Sequence, residues 1–472
     1  MANQAKPRPL LLEKKPVEFV KPSKHTPCGN LSLSTLDNEP INEPMYAYIY
    51  VYAPNEKNQN DPVSLLRKAL SDLLLYYYPI SGKLMRRKSD GKFQLVCIGE
   101  GVPFVVATAD YDLCSLNYVE NFADELAMQL VHELDVNFQS DNGCHPLTLQ
   151  VTKFSCGGFT VGLAVTHVLC DGYGVATIFN ALTELASGKS KLSVVPVWQR
   201  ERLVEKLDGE PPKVPGADYE GLMATSPYMP SGDMVTETVN IMAENINRLK
   251  DAVVLKERFT TFEILCAYIW KATSRALKLN LDGITVLIIT VGIRNVLDPP
   301  LPKGYYGNAY IDVYVEIPVR ELEESSISDI VKLVKKAKKS FLDKRYVEEE
   351  LRNSERLMKA DAKFEVAHGI FLLTDLRNTG LFGSMDFGWN EPVNIWPLTP
   401  QEYERNFGII MRPSKLDPSM EGGAKVIMTL PRDAMVNLKK EMAKDRLEHK
   451  IWNLKSKPNS NRKTKPVIRS KM

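Results

Sequence analysis

The sequence lacks any apolar run long enough to cross a membrane. A transmembrane helix needs about 20 consecutive apolar residues, and no stretch of the 472 residues approaches that length. The N-terminus also lacks a basic region followed by an uninterrupted apolar run, the pattern of a secretory signal peptide. We therefore expect a soluble, intracellular protein with no membrane span, and the cytosol is the default compartment.

The seven cysteines include no C-x-x-C pair, and no histidine stands at a spacing that would build a zinc site with them. An odd number of cysteines with no framework favours free thiols in a reducing compartment. We expect no bound metal.

An excess of charge of either sign is also missing. With 60 basic and 58 acidic residues the chain is nearly neutral, which gives no electrostatic reason to expect nucleic acid or an anionic membrane as the main partner. A composition of 44% hydrophobic and 25% charged residues is ordinary for a globular protein and excludes a disordered or fibrous one. The length predicts two or three domains.

What the sequence does have is a sharp change of pattern around Thr166–Gly172. Residues 158–165 alternate apolar and small side chains, as a strand with one buried face does. From Asp171, a good helix cap, apolar residues recur at helical spacing until Gly188. His167 stands at the junction. A neutral imidazole with a pKa near ~6.5 can accept a proton at neutral pH, although an H-x-x-x-D pattern alone leaves a structural histidine equally open.

A second motif, Asp386-Phe387-Gly388-Trp389, follows in a turn-rich region near the C-terminal end. H-x-x-x-D-G followed at long range by D-F-G-W is a far rarer pairing than either motif alone. Together they resemble the plant BAHD family of acyl-CoA-dependent acyltransferases, nearest the branch of benzyl-alcohol benzoyltransferases and taxane acyltransferases. The resemblance spans nearly the whole chain, with further matching stretches at 34–37, 77–84, 99–101, 152–159, 261–263 and 304–308.

The resemblance implies an α/β protein with a two-domain, chloramphenicol-acetyltransferase-like fold, in which mixed sheets flanked by helices enclose a channel between the domains. The predicted organisation is an extended segment (1–30), an N-terminal domain (31–192), a proline-rich crossover (193–234), a C-terminal domain (235–454) and a basic disordered tail (455–472). Periodicity predicts helices at 62–76, 122–134, 261–277 and 327–343, and strands at 45–52, 147–154, 283–293 and 310–317.

The resemblance also implies a mechanism. His167 acts as general base in a ternary complex of acyl-CoA and acceptor, with no acyl-enzyme and no bound cofactor; acyl-CoA is a co-substrate. Asp171, followed by Gly172, is expected to turn away from the cleft and pair with Arg294, which braces the histidine. Cys170 has to be weighed as an acyl-accepting nucleophile, although a packed side chain is the simpler interpretation.

The D-F-G-W loop is expected to shape the channel and the CoA side, with Asp386 structural rather than catalytic. The family pattern ends in glycine where this chain has Asn390, and asparagine tolerates a left-handed backbone best among the other residues. Thr260 and Thr261 match a hydroxyl-rich stretch near the family's CoA site, but a helix cap is an equally good explanation of them.

Three functions are open. The first is an O-acyltransferase that moves a benzoyl, other aromatic or short acyl group such as acetyl from CoA to a small-molecule alcohol, forming an ester of plant specialised metabolism. The second is an N-acyltransferase acting on an amine or polyamine, for which an acidic pocket would speak; no acidic cluster stands out near the motifs. The third is a silent binding protein of the same fold. A monomer is expected, because the family's channel lies within one chain.

The tail from Lys455 to Met472 carries seven basic residues and no acid, which favours a disordered, solvated end. Its last residues, Ser470-Lys471-Met472, differ only at the final position from the S-K-L address of peroxisomal import. The peroxisome is therefore an alternative to the cytosol.

Overall fold

The computed structural model describes residues 10–58, 60–120, 124–133, 137–138, 140, 142–204, 222–229, 233–253, 258–359, 368–383, 385–398 and 405–443. The C-terminal tail, with Ser470-Lys471-Met472, lies outside these residues. The strands are β1 (Leu12–Lys14), β2 (Glu18–Val20), β3 (Gly29–Ser32), β4 (Met45–Tyr52), β5 (Lys83–Arg86), β6 (Phe93–Cys97), β7 (Val102–Ala109), β8 (Leu147–Phe154), β9 (Phe159–Thr166), β10 (Met234–Ile241), β11 (Ile284–Gly292), β12 (Tyr310–Pro318), β13 (Ile370–Asp375), β14 (Asn394–Leu398), β15 (Phe407–Met411) and β16 (Ala424–Pro431). The helices are α1 (Pro62–Leu73), α2 (Asp124–Ala127), α3 (Gly172–Ala186), α4 (Ala243–Ala252), α5 (Thr261–Leu277), α6 (Val319–Glu324), α7 (Ile327–Ser340) and α8 (Lys344–Lys359).

The first large sheet has seven strands in the order β1-β7-β8-β9-β4-β14, with β2 also paired to β7. Every residue of β9 is buried, because this strand lies inside the sheet with helices and loops on both faces. It pairs antiparallel with β4, Met45 opposite Thr166 and Tyr52 opposite Phe159. The edge strand β14 comes from far along the chain and pairs antiparallel with β4.

The second large sheet has six strands in the order β10-β16-β15-β13-β11-β12. Its edge strand β12 alternates strictly: Ile311, Val313 and Val315 are buried, whereas Tyr310, Asp312 and Tyr314 are only partly so. One face of β12 therefore belongs to the core, and the other is partly exposed to solvent. A small third sheet runs β3-β6-β5.

Each large sheet has its own hydrophobic core. Helices α1 and α3 pack on the first sheet, where the Phe179 ring of α3 stacks on Tyr50 of β4 at 3.7 Å. Helix α5 is buried along most of its length in the second core. The strands and helices confirm the mixed α/β class, and α5 begins and ends where the sequence predicts. The predicted helix at 122–134 is shorter, because only 124–127 are α-helical within its described part. The domain boundaries stay a prediction.

Candidate active site

The predicted junction of strand and helix is where His167 lies. β9 ends at Thr166, the amide of His167 donates to the carbonyl oxygen of Pro44 at 3.3 Å, and that of Leu169 donates to Thr166 at 3.0 Å. Helix α3 then begins at Gly172 with Asp171 as its N-cap, the Asp171 carboxylate accepting from the Gly174 amide at 2.9 Å. The histidine is thus held on a short turn between two buried elements.

The His167 ring lies between two tyrosines. Its centroid is 4.7 Å from that of Tyr46, in an edge-on arrangement, and 5.9 Å from that of Tyr310 on β12. Its Nδ1 is buried and makes no hydrogen bond within normal distance. Desolvation lowers the pKa of His167, and Asp171, the histidine's own carbonyl group and the Asn308 side chain offset this only in part. The imidazole is therefore neutral at neutral pH and able to accept a proton.

Asp171 turns to Arg294, as expected. The guanidinium makes two bonds to the carboxylate, at 2.9 and 2.8 Å, and the Ala309 amide adds a third donor at 3.1 Å. Desolvation alone would raise the pKa of Asp171, but Arg294 and the backbone donors lower it overall. Asp171 is thus an ionised, fully engaged carboxylate that caps α3 and ties it to the second half of the chain.

The segment 305–309 connects the Asp171–Arg294 ion pair to a second buried ion pair, Asp37–Arg200, which sequence reasoning missed. Arg294 donates to the Gly307 carbonyl oxygen at 2.7 Å, while on the other side the Asp37 carboxylate accepts from the amide and the side chain of Asn308 at 3.1 and 2.8 Å. Asp37 also pairs with Arg200, and the two side chains are 0% and 1% exposed. The sequence contained only one indication of these contacts, namely that residues 34–37 and 304–308 both match the family.

Cys170 is a packed side chain. It is 1% exposed within the first core, and burial raises the pKa of its thiol, with Asp171 adding to the effect. Since the thiolate is the nucleophilic form, these surroundings do not activate it.

The D-F-G-W loop lies at the other end of β9. Phe387 and Trp389 are buried against Phe159, with ring centroids 6.0 and 5.3 Å away. Phe159 begins β9 and His167 follows its last residue, so at ~3.3 Å per residue the loop anchor and the histidine are separated by about 26 Å along the strand.

Asp386 is exposed and accepts from the Gly388 amide at 2.8 Å, which closes a tight turn within this loop. Asn390 adopts a φ of 64°, the left-handed conformation expected where the family has glycine.

Thr260 and Thr261 start helix α5. The Thr260 hydroxyl accepts from the Glu263 amide at 3.3 Å while the Glu263 carboxylate accepts from the Thr260 amide at 2.7 Å, a complete capping box. Capping therefore accounts for Thr260. Thr261 is partly buried in the first turn, and its role in CoA binding stays a prediction.

Carboxylates absent from the motifs meet beside Tyr310. Burial raises the pKa of half-buried Glu39 to about 8, opposed by a hydrogen bond with Ser354 and reinforced by Asp312 and Glu350. Desolvation raises the pKa of Asp312 to about 6 against a hydrogen bond from Thr290. The charges with the largest effect on Glu39 are other carboxylates, those of Asp312, Glu350 and Asp37. Glu39 and Asp312 both act on Tyr310, the ring next to His167. The expectation that no acidic cluster lies near the motifs is therefore wrong. The cluster was missed because its members, Glu39, Asp312 and Glu350, come from distant parts of the sequence.

A pocket of about 370 Å³ lined by Lys14, His132, Glu133 and their neighbours includes none of these residues. Among the residues described above, no three histidine, cysteine, aspartate or glutamate side chains are grouped as metal ligands would be. A search of the same part of the chain for a helix long and apolar enough to cross a membrane finds none.

Residues 10–445 match the model of the transferase family. The chain belongs to this family, known as BAHD. It is 32% identical to a Taxus cuspidata 2-alpha-hydroxytaxane 2-O-benzoyltransferase, a match covering 90% of this chain and 94% of that protein. As a member it is an acyltransferase, of groups other than amino-acyl groups, and acyl-CoA is its co-substrate.

Solved structures agree on the fold. Vinorine synthase superposes with a TM-score of 0.70 at 21% identity, covering 90% of this chain and 96% of that one. F. sporotrichioides TRI101, complexed with coenzyme A and T-2, superposes with a TM-score of 0.68 at 18% identity, covering 87% and 97%. These superpositions confirm the fold class expected from the resemblance.

Two relatives overturn the expected reaction. The chain is 66% identical to an Arabidopsis thaliana spermidine coumaroyl-CoA acyltransferase, over 94% of this chain and 98% of the relative. It is 52% identical to an Arabidopsis thaliana spermidine sinapoyl-CoA acyltransferase, over 92% and 97%. Spermidine offers amines and no hydroxyl group, so the expectation of an alcohol O-acyltransferase forming esters is wrong. The resemblance to the branch of taxane acyltransferases led to the wrong acceptor, because the taxane enzyme, at 32% identity, is a more distant relative than these two.

Proposed function

We propose that the protein is an N-acyltransferase that moves a hydroxycinnamoyl group from CoA to an amine of a polyamine such as spermidine. The observation that carries this is the 66% and 52% identity, over nearly full length, to two acyltransferases that act on spermidine with coumaroyl-CoA and sinapoyl-CoA. Both donors are hydroxycinnamoyl thioesters, which is why this donor class is proposed.

The carboxylates beside Tyr310 support a cationic acceptor. A polyamine carries several ammonium groups, because an alkyl ammonium has a pKa near ~10. Glu39 and Asp312 are half-buried, desolvation raises the pKa of both, and Asp312 raises that of Glu39 further, so a nearby ammonium ion would offset these effects. They would hold the nitrogens that do not react, since pairing with a carboxylate keeps a nitrogen protonated and non-nucleophilic.

In the proposed reaction His167 is the general base. A neutral amine attacks the thioester carbonyl carbon, a C–N bond forms, and the amine proton passes to a ring nitrogen of the neutral His167 imidazole. The tetrahedral intermediate collapses as the C–S bond breaks, and the CoA sulfur takes the proton back from the imidazolium. The products are an amide and CoA thiol. A positioned base contributes about 10² to 10⁴ in rate.

The other residues would act through these groups. Asp171 and Arg294 hold the turn after His167, and Gly172 opens helix α3 behind it. Asp386, Phe387, Gly388 and Trp389 form a structural loop at the far end of β9, where Asp386 is too distant to touch the reacting atoms. Thr261 is kept as a candidate CoA contact. We further propose a monomer in the cytosol, with the C-terminal tripeptide as a candidate peroxisomal address.

The test is CoA-thiol release with coumaroyl-, sinapoyl-, benzoyl- and acetyl-CoA, each against spermidine and against benzyl alcohol, followed by mass analysis of the product. Coumaroyl or sinapoyl transfer to spermidine is expected. Turnover with the alcohol and none with spermidine would contradict the proposal.

A further inference from the structure

The backbone of the His167 turn is held by side chains outside the H-x-x-x-D motif. The Asn308 side chain donates to the carbonyl oxygen of His167 at 2.8 Å, and Arg200 donates to that of Leu169 at 2.8 Å. Both donors are fully buried, with exposures of 0% and 1%. These carbonyl groups lie in a turn between β9 and α3, where no strand or helix partner is available to them.

Asp37 connects the two donors. Its carboxylate accepts from Arg200 at 3.0 and 3.1 Å, from the Asn308 amide and side chain at 3.1 and 2.8 Å, and from the Ser34 amide at 2.9 Å. Asp37 comes from near the start of the chain, Arg200 from the segment after α3, and Asn308 from the residues before β12. Three distant parts of the chain thus converge beneath one turn.

The surroundings fit the Arg200 side chain closely. Its guanidinium lies over the rings of Trp198, Tyr305 and Tyr306, with distances of 4.6, 5.3 and 5.1 Å to their centroids. A Cβ atom at Gly307 would lie 1.3 Å from a guanidinium nitrogen of Arg200. Position 307 therefore has to be glycine for Arg200 to occupy this place, since no L side chain fits there.

We propose that Asp37, Arg200 and Asn308 are positioning residues for His167, a buried network that fixes the carbonyl groups of residues 167 and 169 and thereby the direction of the imidazole. The network holds the turn through side chains other than those of Asp171 and Arg294. A loosened turn would leave substrate binding intact but misplace the base, and an error of about 1 Å at a reacting group can cost on the order of 100-fold in rate. The inference rests on the proposed role of His167.

The decisive variant is Asn308→Ala. It removes the side-chain bonds to the His167 carbonyl oxygen and to Asp37. It leaves the backbone amide of residue 308 on Asp37 and the Asp37–Arg200 pair intact, so folding should survive. Arg200→Lys is the second variant, because one ammonium group cannot serve both Asp37 and Leu169. The matched control is Lys425→Met, which breaks another buried ion pair, with Glu120 at 2.6 Å, away from His167.

For each variant kcat, KM for the donor and for spermidine, and Tm are measured with coumaroyl-CoA. We expect kcat to fall about 10- to 100-fold in Asn308→Ala and Arg200→Lys with both KM values within about 2-fold of wild type. The acidic limb of the pH profile should also move to lower pH in Asn308→Ala, because this side chain raises the pKa of His167. Lys425→Met should lower Tm while kcat stays within about 2-fold.

A normal kcat in Asn308→Ala would overturn the proposal. So would a loss of kcat in Lys425→Met as large as the loss in Asn308→Ala, measured in variants whose Tm falls by the same amount. If Arg200→Lys does not fold, Asn308→Ala decides alone. His167→Ala is assayed in parallel. Activity retained there would refute the base itself, whereas an inactive His167→Ala beside a normal Asn308→Ala would refute only the positioning network.

Discussion

The carboxylate of Asp171 and the guanidinium of Arg294 meet in a two-point ion pair, with N–O distances of 2.9 and 2.8 Å, directly behind the turn that carries His167. Both oxygens of Asp171 are also engaged by backbone amides, of Gly174 and Ala309. The carboxylate is therefore occupied by four hydrogen bonds and has no capacity left for proton transfer with the histidine. Its contribution is mechanical and electrostatic.

Arg294→Met is expected to destabilise the protein by about 3–5 kcal/mol, because it leaves the buried Asp171 charge without its partner. The free energy of unfolding in urea measures this. Arg320→Met is the control: it breaks an exposed pair with Asp282, which should be worth less than about 1 kcal/mol. Equal losses in the two variants would contradict the bracing role.

His167→Ala should lower kcat for amide formation by about 10²- to 10⁴-fold, because the amine then loses its proton acceptor. KM for coumaroyl-CoA should change little, since no donor contact is removed. His25→Ala, at an exposed position of the same residue type, should leave kcat unchanged. A kcat in His167→Ala within a few-fold of that of wild type would exclude the general-base role.

The desolvation of His167 predicts a pH dependence of stability. Its folded-state pKa is lowered by desolvation, so the unfolded chain binds this proton more readily. The contribution of His167 is thus fully present above its unfolded value of ~6.5 and is lost as pH falls through the lowered folded value. Wild type should lose stability relative to His167→Gln between pH 7.5 and pH 5 in urea unfolding. A difference that is constant over this range would refute the assigned direction.

Glu39→Gln should raise KM for spermidine about 10-fold or more while KM for coumaroyl-CoA is unchanged, because a charge-assisted contact is worth about 1.5–3 kcal/mol. Glu421→Gln, at an exposed site, is the control. In wild type, KM for spermidine should also fall as pH rises through about 6 and about 8, the pKa values of Asp312 and Glu39, since only the ionised carboxylates pair with ammonium. An unchanged KM in Glu39→Gln would remove Glu39 from the acceptor site.

Local patterns predicted the parts of the site that are built locally. The strand at residues 158–165 and the Asp171 cap depend on short-range features, and the structure has both at nearly the predicted residues. The single buried face that the alternation predicted is wrong, because β9 is buried on both faces inside the sheet. The Asp37–Arg200 pair joins residues 163 apart, and nothing in the neighbourhood of either residue indicates the other. The Asp171–Arg294 contact was foreseen only through the family resemblance.

Two elements were not predicted, and the first of them carries part of the acidic group. Helix α8 is rich in charged residues, and its buried apolar side chains are those of Val347 and Leu351. Its apolar stripe is therefore too weak for the helix to be recognised from the sequence. The helix carries Glu350 and Ser354. The edge strand β14 contains Pro397, and a proline inside a short run argues against a strand unless the strand is at an edge. The acceptor could not be deduced, since motifs that serve all BAHD chemistry carry no information on amine or alcohol.

The central claim is tested most directly by one competition. Coumaroyl-CoA is supplied to the wild-type protein with equimolar spermidine and benzyl alcohol, and the products are quantified by mass spectrometry before and after mild alkaline hydrolysis, which cleaves esters and spares amides. The account predicts an alkali-stable coumaroyl-spermidine amide in large excess. A product that is mainly the alkali-labile benzyl ester would contradict it.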